Sequence, residues 1–287
     1  MNRFTTSLTA AAVVLGLTQA GWAADAQRLV TVGGSITEIV YALGEQDRLV
    51  ARDSTSNFPP AVQDLPNIGY ARALSPEGVL SVAPDLIIAT EGAGPPETIQ
   101  VLESAGIALT SVPEDYTAQG VLAKIDAVAA ALDAEDAAVP LKAEVKRDLD
   151  AAIAQAGELA NGTRPKVLFL LSAADGRLIA AGEDSSAAGI LALAGAENAL
   201  TGFKGYKPVT NEAVARAAPE AVLMMTRTGP HAISDDDLFA LPELASTPAA
   251  RDRKVIRMDG VHLLGFGPRT GAAIRELTRA LYGDTQG

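Results

Sequence analysis

One tyrosine and two arginines carry the side chains of this sequence that are best suited to holding a ligand. Tyr70 and Arg72 lie two residues apart in a predicted loop between β–α units. A tyrosine phenolate is a hard, anionic oxygen ligand for ferric iron, and a nearby guanidinium favours the charged phenolate or pairs with a ligand carboxylate. Arg227 follows an apolar β-type run, from which it could reach an anionic ligand. The alternatives are a tyrosine packed on its own domain and an arginine that is only a charge at a rim.

A segment that occurs twice predicts the elements that position these side chains. Residues 74–88 and 209–223 share one pattern, and each residue of the second copy lies 135 positions after its counterpart. In each copy a Ser or Thr caps a short helix, a Glu lies in the first turn, a Pro ends the helix and an apolar run follows. Two such units indicate two similar lobes with a cleft between them.

The matched acids of this repeat are Glu77 and Glu212. A carboxylate in the first turn of a helix compensates the helix dipole, which accounts for each Glu separately. Two carboxylates on equivalent faces of two lobes would also suit docking onto a symmetric partner with paired basic pockets. Both interpretations remain open.

The other reactive side chains predict no catalytic or metal centre. The chain has two histidines, His231 and His262, and no cysteine, so it lacks the ligands of a dedicated zinc site. No nucleophile–base pair is recognisable, and we therefore do not expect an enzyme. Arg269 could be a third cation toward a ligand or a partner in the core.

A glycine-rich turn precedes the first predicted helix. Gly33 and Gly34 are followed by Ser35 and Glu38, which have the spacing of a capping box. The turn lacks the dinucleotide fingerprint and the lysine of a phosphate loop. It could still receive an anionic group at the helix N-terminus, or it could be only a tight strand–helix turn.

Composition and the N-terminus predict an exported protein. The chain has 287 residues and a formal net charge of −12, which argues against nucleic-acid binding. A short basic start and an apolar run too short to span a bilayer predict a signal peptide over residues 1–23, with cleavage possible up to residue 26. Without a cysteine for lipid attachment or disulfides, we expect a free, soluble protein of the bacterial periplasm.

Strand and helix patterns alternate on both sides of a helical middle. From Gln119 to about Ala160 no strand pattern occurs, and Pro140 predicts a break into two helices. The expected fold is α/β, with two Rossmann-like lobes of mostly parallel sheets joined by a long backbone α-helix, which limits closure. The predicted domains are an N-terminal lobe over residues 27–135, a connecting helix over 136–160 and a C-terminal lobe over 164–287.

Several motifs together resemble the haem-specific substrate-binding proteins of bacterial ABC importers, in the class whose lobes are joined by a backbone helix. The resemblance covers essentially the whole mature chain. It is carried by Val32-Gly33-Gly34-Ser35-Ile36-Thr37-Glu38, Ile68-Gly69-Tyr70-Ala71-Arg72, Ser75-Pro76-Glu77-Gly78, Gly205-Tyr206-Lys207-Pro208, Met225-Thr226-Arg227, Thr247-Pro248-Ala249 and Leu263-Leu264-Gly265-Phe266-Gly267-Pro268-Arg269.

This resemblance implies a periplasmic carrier that takes up haem b with ferric iron and delivers it to an inner-membrane ABC permease and ATPase complex. Tyr70 would be the axial iron ligand, Arg72 would support the phenolate or a propionate, and Arg227 would contact a propionate. Glu77 and Glu212 would engage arginines of the permease. The carrier would act as a monomer in iron acquisition, with an outer-membrane haem receptor as an indirect partner.

One position departs from the family pattern. Many relatives have a histidine after the Leu-Leu-Ser of the second lobe, but here Ser172 is followed by Ala173. The departure implies that no second axial ligand comes from this position, and it puts two stacked haems in doubt. The alternative functions are a ferric-siderophore or cobalamin carrier on the same scaffold, a periplasmic α/β enzyme, and an interaction module with a vestigial cleft.

Overall fold

The computed structural model describes residues 28–173, 177–227 and 232–283. The predicted signal peptide and His231 lie outside the described residues. None of the described helices is long and apolar enough to cross a membrane.

The first lobe is built on a sheet of four parallel strands. The strands are β1 (Leu29–Val32), β2 (Leu49–Arg52), β3 (Leu86–Thr90) and β4 (Ala108–Val112), in the order β2-β1-β3-β4. The central strands β1 and β3 are short apolar runs because both faces of the sheet are covered. The helices are α1 (Gly34–Leu43), α2 (Pro76–Leu80), α3 (Pro96–Ser104) and α4 (Ala118–Leu132), with short 3₁₀ turns at Gln46–Arg48 and Pro60–Asp64.

A single long helix, α5 (Glu135–Ala160), follows the first lobe. The predicted break at Pro140 is wrong, because Pro140 lies within α5 and is exposed. The chain instead breaks between α4 and α5, where Asp133 adopts a left-handed conformation with φ of 53°. Pro140 is the sixth residue of α5, so the helix loses a backbone hydrogen bond there without ending.

The second lobe is built on a mixed sheet. Its main strands follow the order β10-β9-β5-β6-β8, and a further short strand, β7, pairs with β5. The strands are β5 (Lys166–Ser172), β6 (Ile179–Ala181), β7 (Glu197–Asn198), β8 (Tyr206–Pro208), β9 (Ala221–Met225) and β10 (Val255–Met258). The helices are α6 (Ser186–Leu193), α7 (Asn211–Ala217), α8 (Asp235–Ala240), α9 (Pro248–Arg251), α10 (Gly260–Leu264) and α11 (Thr270–Tyr282).

Strand β5 divides one of its edges between two partners. Its first residues pair with β7 in parallel, and Leu170 and Ser172 pair with β6 in antiparallel. The parallel set β7-β5-β9-β10 therefore repeats the sheet of the first lobe. The antiparallel strands β6 and β8 are an addition of the second lobe, which the sequence patterns did not predict because each strand has only three residues.

The repeat predicted from sequence is confirmed in its local structure. Helices α2 and α7 begin 135 positions apart, and so do strands β3 and β9. Ser75 and Thr210 are the N-caps, and each hydroxyl accepts a hydrogen bond from a backbone N–H three residues later. Ala83 and Ala218 both take left-handed conformations, with φ of 43° and 47°, before the strand.

The N-caps allow a direct test of this local structure. Ser75→Ala should lower the free energy of unfolding by about 1 kcal/mol, because the N–H of Gly78 loses its acceptor. Urea denaturation followed by circular dichroism would measure the change. Ser104→Ala is the matched control, since the Ser104 hydroxyl only donates to a carbonyl within α3. Equal stability of the two variants would contradict the capping role.

Three apolar clusters form the core, and the largest belongs to both lobes. In β3, Leu86 and Ile88 face this central cluster, and in β9 Ala221 and Leu223 do the same. The intervening residues face a peripheral cluster in each lobe. The central cluster also takes side chains from α1, α4, α5, α6 and α11. The two sheets therefore share one continuous core behind the cleft.

Candidate functional site

A cleft of about 980 Å³ lies between the two lobes. Its volume is near the upper end of the about 300–1,000 Å³ that is usual for small-molecule sites. Both lobes line it, so a ligand bound here would contact two walls. The predicted ligand-binding residues Tyr70, Arg72 and Arg227 all belong to its lining.

Tyr70 projects from a loop that is anchored on both sides. The carbonyl of Gly69, whose φ is +104°, accepts a 2.8 Å hydrogen bond from the N–H of Ser54. On the other side of Tyr70, the carbonyl of Ala71 accepts a 2.9 Å hydrogen bond from the N–H of Gly94. Ala71 is buried, whereas Tyr70 is 51% exposed. The fixed backbone therefore presents a largely uncovered phenol to the cleft rather than packing it into the lobe.

Arg72 and Arg227 place a cation near the equivalent strand end of each lobe. By the 135-residue repeat, Arg227 corresponds to Gly92. A Cβ atom at Gly92 would lie 3.0 Å from Arg72 Nη1, so the glycine leaves room for the Arg72 guanidinium. Arg72 Nη1 also lies 3.5 Å from the carbonyl oxygen of Gly92. Arg227 Nη2 donates to the carbonyl of Leu171 at 3.1 Å. The two cations thus occupy related places although they come from unrelated sequence positions.

The acids of the cleft lining are already satisfied. Glu114 pairs with Lys124 at 3.0 Å, Asp184 pairs with Lys204 at 2.6 Å, and Asp259 accepts a backbone hydrogen bond as the N-cap of α10. Among the described residues, Arg72 and Arg227 have carbonyl partners and no carboxylate partner. The cleft therefore offers two guanidinium groups to an anionic ligand.

Two further phenols, Tyr116 and Tyr206, line the cleft. The Tyr206 hydroxyl lies 2.8 Å from Ser186 Oγ. Burial raises the pKa of both phenols, and the Glu114 carboxylate adds to the rise at Tyr116. Arg72 acts in the opposite direction on both pKa values. Both side chains therefore remain protonated hydrogen-bond donors near neutral pH.

These phenols show what the sequence did and did not signal. Tyr206 lies in a motif shared with relatives, but its role could not be assigned from the motif. Tyr116 has no such signal, because its place in the cleft depends on an edge-to-face contact with Phe266 of the other lobe, at a centroid distance of 5.3 Å.

The glycine-rich turn before α1 is closed by its own neighbours. The N–H of Gly33 donates to Asp53 at 3.0 Å, and the N–H of Gly34 donates to the Thr55 hydroxyl at 3.1 Å. These two donors are therefore not free for an anion, and the geometry favours the tight-turn interpretation. The predicted capping box is wrong, because Gly33 is the N-cap and no side chain caps the helix.

The other candidate side chains have structural partners. His262 Nε2 lies 3.3 Å from the Glu276 carboxylate, and Arg269 is paired with Glu38. Ala173 is half-buried against the peripheral core of the second lobe. Among the described residues, no group of three His, Asp or Glu side chains is arranged to hold a metal ion.

Glu77 and Glu212 are exposed and lie outside the cleft lining described above. They occupy the first turns of the equivalent helices α2 and α7. Hydrogen bonds from its own backbone N–H and from the Thr210 hydroxyl lower the pKa of Glu212, which is therefore charged at neutral pH. Position and exposure thus fit a contact surface rather than a ligand site.

Comparison with known proteins identifies the protein family that has this two-lobed arrangement. Residues 29–261 match the family described as periplasmic binding proteins. The chain belongs to this family. Its members and the neighbours below are binding proteins, and the match spans both sheets and the long helix between them.

Two solved structures are similar over nearly the whole family fold. The periplasmic heme-binding protein BhuT in complex with two hemes is 39% identical, with a TM-score of 0.84, covering 89% of this chain and 97% of BhuT. The periplasmic heme-binding protein RhuT from Roseiflexus sp. RS-1 is 38% identical, with a TM-score of 0.82, covering 90% and 98%. A vitamin B12-binding protein of Vibrio vulnificus (strain CMCP6) is 24% identical over 89% of this chain and 90% of its own length.

Proposed function

We propose that this family member binds haem in the inter-lobe cleft and delivers it to an inner-membrane ABC importer. The observation that carries the proposal is an exposed phenol, Tyr70, on the same cleft as two arginines that have no carboxylate partner within the described part of the chain. Haem presents an iron that accepts an oxygen ligand and two propionates that need cations. Similarity to heme-binding proteins at 39% and 38% identity supports the same ligand.

In this proposal Tyr70 supplies the protein ligand to the ferric iron of the cargo. Its half-exposed phenol needs no rearrangement of the loop to be reached from the cleft. A tyrosine oxygen is an established ligand type for haem iron, and it binds best as the phenolate. Arg72, two residues away, lines the same cleft, where its guanidinium can pair with an anionic group of the ligand.

Arg72 and Arg227 are proposed to hold the anionic groups of the ligand. Guanidinium–carboxylate hydrogen bonds are charge-assisted and often bidentate, so they fix orientation as well as adding affinity. Tyr116 and Tyr206 can add neutral hydrogen bonds because their phenols stay protonated. These four side chains would thus orient a planar, dianionic ligand between the two walls of the cleft.

A titration of the purified protein with haemin tests the proposal. We expect saturable binding and a high-spin ferric tyrosinate spectrum. Parallel titrations with cyanocobalamin and with a ferric siderophore test the alternative carriers, of which the cobalamin carrier is favoured by the similarity to the vitamin B12-binding protein. Saturable binding of cobalamin or siderophore without a haemin spectrum would replace haem with that ligand.

The arginines give a graded prediction within the same assay. Arg72→Ala and Arg227→Ala should each weaken haemin binding by roughly tenfold to a hundredfold, because each removes a charged hydrogen bond worth about 1.5–3 kcal/mol. Arg216→Ala, an exposed residue of α7 outside the cleft lining, is the matched control. Affinities unchanged by both cleft substitutions would contradict a propionate role.

The importer contact is proposed on a different surface. Exposed Glu77 and Glu212 lie on equivalent helices and can meet two equivalent basic pockets of a membrane permease. A single protomer presents both acids, so the proposal needs no oligomer. Since neither acid lines the cleft, docking and haem binding use separate residues.

A further inference from the structure

A segment of the second lobe reaches across and binds the first lobe below the cleft. It consists of Gly265, Phe266, Gly267, Pro268 and Arg269, between α10 and α11, and we call it the crossing segment. Its Gly265 carbonyl and Arg269 side chain bind α4 and α1, and the ring of Phe266 contacts Tyr116.

Lys124 of α4 makes the first of these contacts. Its side chain is 1% exposed, and its ammonium group has partners for all of its donors. Nζ lies 3.0 Å from both carboxylate oxygens of Glu114 and 3.3 Å from Ser35 Oγ. It also donates to the carbonyl of Gly265 at 3.0 Å, which joins the first lobe to the crossing segment.

Burial lowers the pKa of Lys124, and the adjacent Glu114 carboxylate opposes that change. Glu114 itself lines the cleft. The ammonium group thus neutralises an acid of the cleft wall and holds the crossing segment at the same time. An apolar side chain of similar length, such as Met, could do neither.

Arg269 makes the second contact, at the other end of the crossing segment. Its guanidinium forms a two-pronged pair with Glu38 of α1, with Nε 2.9 Å from Oε2 and Nη2 bonded to Oε1. Glu38 is buried, whereas Arg269 is partly exposed and lies 3.8 Å above the ring of Phe58. The pair joins residues 231 positions apart in the chain.

Close packing fills the space between these two polar contacts. The ring of Phe266 is fully buried and meets Tyr116 of the cleft wall edge to face. A Cβ atom at Gly267 would lie only 3.0 Å from the Cβ of Ser35, so the glycine allows the segment to approach α1 closely. The crossing segment therefore has contacts with the first lobe along its length.

We propose that the crossing segment sets the separation of the two cleft walls, and that Lys124 and Arg269 are positioning residues for the ligand. The long helix α5 and the continuous central core join the lobes behind the cleft, whereas the crossing segment joins them at the cleft itself, since Gly265 lines it. One ion pair between the lobes, Arg269–Glu38, the hydrogen bond from Lys124 to the Gly265 carbonyl and the buried ring of Phe266 can fix the angle at which the two walls face each other. Only the ligand-binding readout below rests on the proposed function.

The separation of the lobes can be measured without any ligand. The chain has no cysteine, so Glu103→Cys and Ala215→Cys, both exposed and on α3 and α7, give one specific pair of spin-label sites. In double electron–electron resonance we expect a single narrow distance for the otherwise unchanged protein. Lys124→Met with Glu114→Gln, and separately Arg269→Met with Glu38→Gln, should broaden the distribution at least about twofold or shift its maximum.

These paired substitutions remove both charges of each ion pair, so that no buried charge is left alone. Asp148→Asn with Arg275→Met is the matched control, because that 2.8 Å pair joins α5 and α11 and lies outside the crossing segment. Its distance distribution should stay narrow. If a double variant that removes an ion pair fails to fold, Arg269→Lys replaces it in the same distance measurement. This substitution is at a partly exposed side chain, keeps the positive charge and loses the two-pronged geometry.

Haemin dissociation provides the second readout. The Lys124 and Arg269 variants should release haemin about tenfold faster, equivalent to about 1.4 kcal/mol, while retaining the tyrosinate spectrum. Unchanged distance distributions in both crossing-segment variants would overturn the proposal whatever the ligand result. Failure of the parent protein to bind haemin, with broadened distances in the variants, would instead overturn the proposed function and leave the crossing segment's role intact.

Discussion

Replacement of Tyr70 by alanine should abolish the ferric tyrosinate spectrum and weaken haemin binding by at least about a hundredfold, equivalent to about 2.8 kcal/mol. The expectation follows from the site, where Tyr70 is a half-exposed phenol on an anchored loop and the only tyrosine in the Tyr-x-Arg arrangement. Burial raises the pKa values of the other cleft phenols, Tyr116 and Tyr206, so ionisation on iron binding is disfavoured there. Visible absorption and a competition titration would measure both effects.

Two further variants separate coordination from shape. Tyr70→Phe keeps the ring and removes only the oxygen, so it should lose the spectrum as completely as Tyr70→Ala. Tyr41→Phe is the matched control, because Tyr41 packs against the central core and lies outside the cleft lining. A tyrosinate spectrum that persists in Tyr70→Phe would assign the iron ligand to another residue.

Simultaneous replacement of Glu77 and Glu212 by alanine should abolish stimulation of the importer's ATPase while leaving haemin affinity unchanged. Both acids are exposed in the first turns of equivalent helices and are separate from the cleft. Because the two acids are proposed to engage two pockets at once, each single variant should retain part of the stimulation. The measurement is ATP hydrolysis by the reconstituted importer over a range of haem-loaded binding protein.

The matched control is the double variant Glu97→Ala and Glu135→Ala. These residues are also exposed acids in the first turns of helices, α3 and α5, and their loss changes the net charge by the same amount. Normal stimulation by this control would show that position, rather than overall charge, matters. Equal stimulation by the Glu77/Glu212 variant would reduce both acids to compensation of their helix dipoles.

The repeated segment shows which part of the fold was predictable. Its helix caps and strand starts depend on neighbouring residues, and both are found in the structure at the 135-residue offset. The signals for these elements are local, because capping and alternation of burial act over a few residues.

The features that the sequence did not predict are contacts of side chains whose partners are distant in the sequence. Ser35 and Glu38 have the spacing of a capping box, yet Ser35 faces Lys124 and Glu38 pairs with Arg269. The sequence shows the spacing but gives no sign of a partner 231 positions away. For the same reason, the sequence does not distinguish Lys124 from the other polar residues of the helical middle of the chain. Its ammonium group contacts both Glu114 of the first lobe and Gly265 of the second lobe, which are distant from each other in the sequence.

The cleft was predicted in part. Tyr70, Arg72 and Arg227 all line it, so the choice of residues from their chemistry and from the strand ends agrees with the geometry. Their ligand contacts remain predictions. The second wall was not predicted in detail, because Tyr206 lies on an edge strand of three residues that pairs only with another short strand.

The position of α11 has a consequence for the order in which the protein can fold during synthesis. Ala273, Ile274, Leu277 and Leu281 of this helix complete the central core and pack along α5, which is made more than a hundred residues earlier. Until α11 leaves the ribosome, the apolar face of α5 has no cover on that side. A nascent chain would therefore keep an unfinished core until late in translation.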